Sequence, residues 1–187
     1  AGLALMRAAR KEKKTEPYTD FDMAPFYDSL PFTLTGAQSR AVGEILEDFR
    51  RGIPMNGLVL GDVGSGKTRV AAAAAYCAAR NGTQTALMAP TEILAEQHFA
   101  SLSALFVPLG VSVALLTGSM TGKQKKDVRE RIAAGEVQVV IGTHALLSES
   151  TRFDNLGLVI TDEQHRFGVG QRSRLSAKGE DPHLLVM

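Results

Sequence analysis

An α/β fold, with helices on both faces of a mostly parallel sheet, follows from two features of this 187-residue sequence. From Phe32 onward, short apolar runs alternate with stretches of helical periodicity, and a glycine-rich turn stands between one such run and the helix after it. Strands that alternate with helices are joined by crossovers, which lay the strands parallel and cover the sheet on both sides.

The elements follow in order. The segment 1–14, in which Leu3-Ala4-Leu5 leads into Arg7, Arg10, Lys11, Lys13 and Lys14, predicts a basic helix. Residues 15–30, with Pro17, Pro25 and the acidic pair Asp20 and Asp22, predict a linker. A strand is expected at 57–60, then a helix from Lys67 to about Arg80 that ends at Asn81-Gly82. The next strand is 84–88. The helix 92–106 follows, with Ile93, Leu94, Leu102, Leu105 and Phe106 on its apolar face. A strand at 111–116, a charged helix at about 122–134, and buried strands at 137–141 and 158–160 complete the pattern, and 183–187 begins another strand.

Composition narrows the possibilities. The net charge of +1 neither requires nor excludes a nucleic-acid partner, so that case rests on local clusters. One cysteine, Cys77, cannot form an internal disulfide, which fits a reducing compartment, and its alanine-rich surroundings predict a buried helix position. The weakly apolar start, 1–6, is too short to span a membrane and has the wrong charge order for a secretory signal. The four histidines have no metal-ligand spacing. A start without methionine and a final apolar run, 184–187, suggest that both ends continue into a longer protein.

The chemistry concentrates first in Gly61-Asp62-Val63-Gly64-Ser65-Gly66-Lys67-Thr68, which fits the phosphate-loop pattern G-x-x-x-x-G-K-[ST] between a strand and a helix. The glycines let successive N–H groups turn toward one anion, and the helix that follows adds its positive end. Lys67 is expected to reach the β- and γ-phosphates of ATP, and the Thr68 hydroxyl to ligate Mg2+. At average composition the pattern arises by chance in roughly one chain in a hundred of this length or fewer, which sets an accidental glycine turn aside.

A phosphate loop needs a carboxylate for the metal. The apolar run ending in Thr161-Asp162-Glu163 supplies one, with Asp162 for Mg2+ and Glu163 to orient or deprotonate the attacking water. An acidic pair at a strand end is common and is weak evidence alone; its place downstream of a phosphate loop gives it weight. Carboxylates so placed favour hydrolysis over phosphoryl transfer to a small acceptor.

The segment Asp162-Glu163-Gln164-His165-Arg166-Phe167-Gly168-Val169, with Gln171-Arg172 behind it, closely resembles the DEQH box of the RecG family of bacterial helicases, and the phosphate loop is similar to that family's. The transcription-repair translocase Mfd has a similar core but usually another residue where Gln164 stands. The resemblance runs from about Leu30 to Met187 and extends to the first helix. It implies a RecA-like P-loop NTPase fold, with a connector and linker from a preceding DNA-binding domain at 1–30 and a first motor domain at 31–187. It also implies a second RecA-like domain in the same parent chain, a Ser/Thr-Ala-Thr segment beyond Met187, and action on branched DNA in repair and recombination in the bacterial cytoplasm, at the nucleoid, with no membrane partner. The chain alone is expected to bind nucleotide, turn it over slowly and unwind nothing.

By the same resemblance Phe32 to Gln38 is an adenine-recognition segment, with Gln38 bonding the base. Alone, Gln38 reads as a helix-surface glutamine. Ala89-Pro90-Thr91-Glu92, Thr117-Gly118 and Gly142-Thr143-His144 resemble the family's DNA-contacting motifs, and Gln164 and His165 take a coupling role. Each of the three turns lies just past a predicted strand, at the edge where ligands gather in open α/β sheets. Thr91, Thr117 and Thr143 offer hydroxyls there, and Gly118 and Gly142 offer close backbone approach to phosphates. Each taken singly is an ordinary strand-end turn. The stretch Lys123, Lys125, Lys126, Arg129 and Arg131 fits a solvated helix face at least as well as a DNA-steering patch. A transcription-repair coupling translocase motor domain and an RNA helicase remain as alternatives, followed by a small-molecule P-loop kinase and a non-enzymatic nucleotide-binding module.

Overall fold

The computed structural model describes residues 3–7, 15–61, 64–162 and 169–187. Asp62, Val63, Glu163, Gln164, His165 and the basic run from Arg10 to Lys14 lie outside the described residues.

The chain forms β1 (Ala4–Arg7), α1 (Ala24–Ser29), α2 (Gly36–Arg51), β2 (Asn56–Leu60), α3 (Lys67–Arg80), β3 (Gln84–Met88), α4 (Glu92–Phe106), β4 (Val113–Leu116), α5 (Gly122–Ala133), β5 (Val139–Gly142), β6 (Leu156–Thr161), α6 (Val169–Ser176) and β7 (His183–Val186). Short 3-10 turns at Val107–Leu109 and His144–Leu147 complete it. The seven strands make one sheet in the order β1-β2-β7-β6-β3-β5-β4. β2 through β7 run parallel to their neighbours, as the alternation predicts, and β1 is antiparallel to β2.

The parallel strands read as continuous apolar runs because both sheet faces are covered. Leu87, Val139, Ile141, Leu158 and Ile160 enter the core shared with α2, α3 and α4. Ala86, Met88, Val140, Leu156 and Val159 enter the opposite core with Ile132 of α5 and Leu175 of α6. Leu156 and Leu158 should share a face by the strand's period of two, but a register irregularity opposite Gln84/Thr85 sends them to opposite cores.

α2 follows Thr35, whose side chain accepts from the Gln38 N–H while the Gln38 side chain accepts from the Thr35 N–H, a capping box. It ends at Gly52 in the left-handed region. Ala41, Val42, Ile45 and Phe49 form its buried stripe. α3 lies between α2 and the sheet, and Val70 through Ala79 are all buried. Alanine suits this place, with the best helix propensity and little bulk between two packed layers. Cys77 is buried within it, as expected, and burial pushes its thiol up to about 12.

Two expectations are corrected at the N-terminal end. Ala4–Arg7 is a strand rather than part of a basic helix. β2 would otherwise present an unpaired backbone edge, and β1 covers it, so tertiary pairing outweighs local helix propensity. Arg7 Nη1 also donates to Asp48 Oδ1 of α2 at 2.7 Å. Residues 15–30 are a folded strap across the end of α3 rather than a free linker. The Asn81 carboxamide accepts from the N–H groups of Thr19 and Asp20 and donates to the carbonyls of Asp20 and Cys77. Arg80 Nη2 lies 3.0 Å from Asp20 Oδ2 and holds that carboxyl below its ordinary value. Tyr18, Met23 and Phe26 are buried in the main core, with Phe26 stacked on Tyr76 at 5.5 Å.

Candidate nucleotide and nucleic-acid site

Because β2 to β7 are parallel, their C-terminal ends share one edge of the sheet, and the sheet order becomes the order of groups along that edge. The phosphate loop follows β2, Asp162 follows β6, Ala89-Pro90-Thr91 follows β3, Thr143 follows β5, and Thr117 follows β4. With strands about 4.8 Å apart, Asp162 stands two spacings from the phosphate loop, about 10 Å, and one spacing from the turn after β3. The candidate nucleotide residues therefore occupy one stretch of the edge and the candidate nucleic-acid residues the next, with Asp162 at the join.

Gly64 and Gly66 adopt φ of 86° and 84°, the left-handed region that a side chain disfavours. Gly66 also caps α3 with no side-chain hydrogen bond to the helix. In the first turn of α3 the Arg69 N–H donates to the Gly66 carbonyl at 3.1 Å, and the N–H groups that precede it at a helix start are the ones an anion can take. The Ser65 hydroxyl oxygen is buried without a hydrogen-bond partner among the described residues. Lys67 and Thr68 begin α3 at this point, and both are partly exposed. The chemistry of this turn fits a phosphate group.

Gln38 is 3% exposed, which corrects the reading of it as a surface glutamine. Its Nε2 donates to the Ser65 carbonyl at 3.0 Å, and its Oε1 accepts from Thr35 N–H at 2.9 Å. A Cβ on Gly66 would collide with Gln38 Nε2, so the glycine and the amide are fitted to each other. One residue thus caps α2 and braces the phosphate loop, a link the sequence does not reveal across 27 positions. Gln38→Ala is expected to cost about 1–2 kcal/mol through the lost cap and the unpaired Ser65 carbonyl, read as a lower urea midpoint. Phe32 is exposed on the connection before α2, with the Arg69 guanidinium 5.2 Å from its ring centre. Beside it lies a cleft of about 460 Å³ formed with Tyr27, Leu30 and Leu34.

Asp162 is anchored twice. Its N–H donates to the Met88 carbonyl at 2.9 Å, and its Oδ2 lies 2.8 Å from Nε2 of His98 on α4. His98 carries no sequence signal: it stands 64 positions away and meets Asp162 only because β6 neighbours β3 and α4 follows β3.

The strand-end turns differ among themselves. Thr91 caps α4, accepting from Leu94 N–H, and Pro90 beside it is partly exposed. Thr117 is 1% exposed and Thr143 is 7% exposed, so little of either hydroxyl faces solvent. Gly142 is also buried, and a Cβ there would strike the Leu116 carbonyl, so its small size serves strand packing. Gly118 and His144 are exposed. Ser119 N–H donates to Glu92 Oε1 at 2.9 Å, which ties the turn after β4 to the first turn of α4. His144 Nε2 lies 3.1 Å from Gln171 Nε2 of α6. On α5, Lys123 and Lys126 are exposed, Lys126 faces Glu130 at 3.9 Å, and Arg129 donates to the Thr151 hydroxyl, as on a solvated helix face. Among the described residues no helix is long and apolar enough to cross a membrane and no metal-binding cluster of three or more His, Cys, Asp or Glu occurs.

Residues 35–180 match the DEAD/DEAH box helicase family, and the chain belongs to it. Within that family the likeness is to RecG. The chain is 52% identical to the ATP-dependent DNA helicase RecG of Bacillus subtilis (strain 168) over 188 residues, covering 97% of this chain and 28% of that protein. It is 48% identical to the ATP-dependent DNA helicase RecG of Aquifex aeolicus (strain VF5), covering 98% of this chain and 24% of that protein. A structure of RecG bound to a three-way DNA junction superimposes with a TM-score of 0.83 at 45% identity, over 93% of this chain and 24% of that one. The helicase MrfA bound to DNA and AMPPNP shares the fold at a TM-score of 0.67 and 18% identity. The chain spans about a quarter of the length of these RecG relatives.

Proposed function

We propose that this chain is the first, ATP-binding motor domain of a RecG-type DNA helicase that remodels branched DNA in the bacterial cytoplasm. The observation that carries the reading is the single row along the sheet edge: phosphate loop, Asp162, then the turns at Thr91, Thr143 and Thr117. The N–H groups at the start of α3 and Lys67 hold the ATP phosphates, and the base lies against Phe32 and bonds the remaining donor and acceptor sites of the Gln38 amide. Thr68 and Asp162 hold Mg2+, which supplies charge neutralisation at the phosphate oxygens. Glu163 orients the attacking water, and Gln164 and His165 carry the nucleotide state to neighbouring segments.

The DNA backbone follows the other half of the row. Pro90, Thr91, Gly118 and His144 offer the more accessible surface, while Gly142, Thr143 and Thr117 shape the turns beneath. Residues 31–187 make the body of the motor domain, and β1 and the strap at 15–30 pack onto it as the connection to a preceding DNA-binding domain. A second RecA-like domain of the parent chain closes the other side of the ATP cleft. The comparisons favour neither the transcription-repair translocase, the RNA helicase nor the small-molecule kinase.

The test is ATP turnover by the longer protein that contains this domain, with forked, single-stranded and duplex DNA. Stimulation by DNA, greatest with the fork, is expected and should disappear in Glu163→Gln. Turnover indifferent to all three DNAs would overturn the proposal.

A further inference from the structure

His98 belongs to a helix that the proposed function uses only for its N-terminal turn, yet its ring reaches the carboxylate at the centre of the edge. Nε2 and Asp162 Oδ2 are 2.8 Å apart, with the two side chains only 13% and 16% exposed. An ionised carboxylate has acceptors only, so Nε2 carries the hydrogen and donates it. This bond takes one acceptor site on Oδ2 and leaves the acceptor sites of Oδ1 for a metal ion. A carboxylate whose second oxygen is held by a donor is fixed in rotation, and groups of this kind orient metal ligands.

The same helix reaches the other half of the row. At its first turn Thr91 caps it, and Glu92 Oε1 accepts from Ser119 N–H at 2.9 Å, gripping the turn after β4. His98 follows six residues later, about 9 Å along the helix axis. α4 therefore meets the strand-end turns at one end and the Asp162 carboxylate at its middle.

Resting on the reading of Asp162 as the metal carboxylate, we propose that His98 is a positioning residue that fixes the Asp162 side chain for the nucleotide-bound divalent cation. Removing the ring lets the carboxylate rotate and weakens the cation without touching the phosphate loop. Glutamine places an amide N–H donor near the Nε2 position, so it preserves the bond.

The experiment measures Mn2+ binding by electron paramagnetic resonance to the 187-residue chain with ADP, alongside ADP binding without metal. His98→Ala is expected to weaken Mn2+ about 10-fold, with metal-free ADP binding unchanged, and His98→Gln is expected to stay within about twofold of the unmutated chain, well below the loss of about 10–100-fold that follows removal of such an orienting contact. Mn2+ affinity unchanged in His98→Ala overturns the proposal, as does equal loss in both variants with the fold intact. In the unmutated chain, 15N spectra of the histidine rings should show His98 protonated at Nε2, and a ring bare at Nε2 overturns the proposal whatever the variants do. If the unmutated chain binds ADP but its Mn2+ affinity is insensitive to Asp162→Ala, the assignment of Asp162 to the metal fails, which is distinct from failure at His98.

Discussion

Lys67→Ala is expected to lower DNA-stimulated ATP turnover of the longer protein by about 10²–10³-fold, the usual loss when a preorganised group facing developing charge is removed. Lys67 is the first residue of α3, directly after Gly66 at φ 84°, so its side chain starts from the loop itself. The backbone N–H groups of the same turn remain in the variant, and nucleotide binding should weaken less than turnover. That split separates the lysine's charge from the loop's geometry. Steady-state kinetics measure it, and a variant within about threefold of the unmutated protein, far short of the usual loss, would contradict the assigned role.

Phe49→Ala is expected to destabilise the domain by about 3–5 kcal/mol, the range for emptying a buried aromatic site. Phe49 is 0% exposed, with its ring centre 5.0 Å from that of Tyr18 and 4.5 Å from that of His183. Its carbonyl also accepts from the Tyr18 N–H at 3.0 Å. The side chain therefore joins α2, the strap and β7, and no nearby loop can collapse into the space without disturbing all three. Urea denaturation should show the midpoint falling with the slope unchanged. A loss below about 1 kcal/mol would place Phe49 outside the range for buried aromatics and show that the strap is not packed as described.

The outcome at these two residues mirrors what the sequence could reveal. The phosphate loop is legible because its chemistry sits in eight consecutive residues, and local spacing alone selects phosphate. The strands are legible because parallel strands buried on both faces become apolar runs, and the turns after β3, β4 and β5 take their place from strand ends alone. Partnerships across the sheet are not legible. β1 is four residues long and exists because β2 offers an edge, while its own basic, leucine-containing sequence reads as a helix. The strap has the prolines and acids of a linker, yet Asn81, Arg80 and the core beneath hold it in place. Gln38 meets Ser65 because α2 packs on α3, and His98 meets Asp162 because β3 and β6 are neighbours. Such contacts come from sheet order, which periodicity does not encode.

The burial of Thr117 and Thr143 refines the nucleic-acid half in the same way. A sequence shows that hydroxyls stand at strand ends; it does not show that two of them turn into the protein. On the proposed reading, backbone atoms and the exposed neighbours Gly118 and His144 then carry more of the contact, which suits recognition of a phosphate backbone over base edges.

The proposed function requires that this chain hold Mg·ATP at the turn from Gly61 to Thr68. Its most direct test is titration of the 187-residue chain with a fluorescent ATP analogue, with and without Mg2+. Saturable binding is expected, displaced by ATP and ADP, strengthened by Mg2+ and weakened in Lys67→Ala. No saturable binding by the folded chain, or binding indifferent to Lys67, would contradict it.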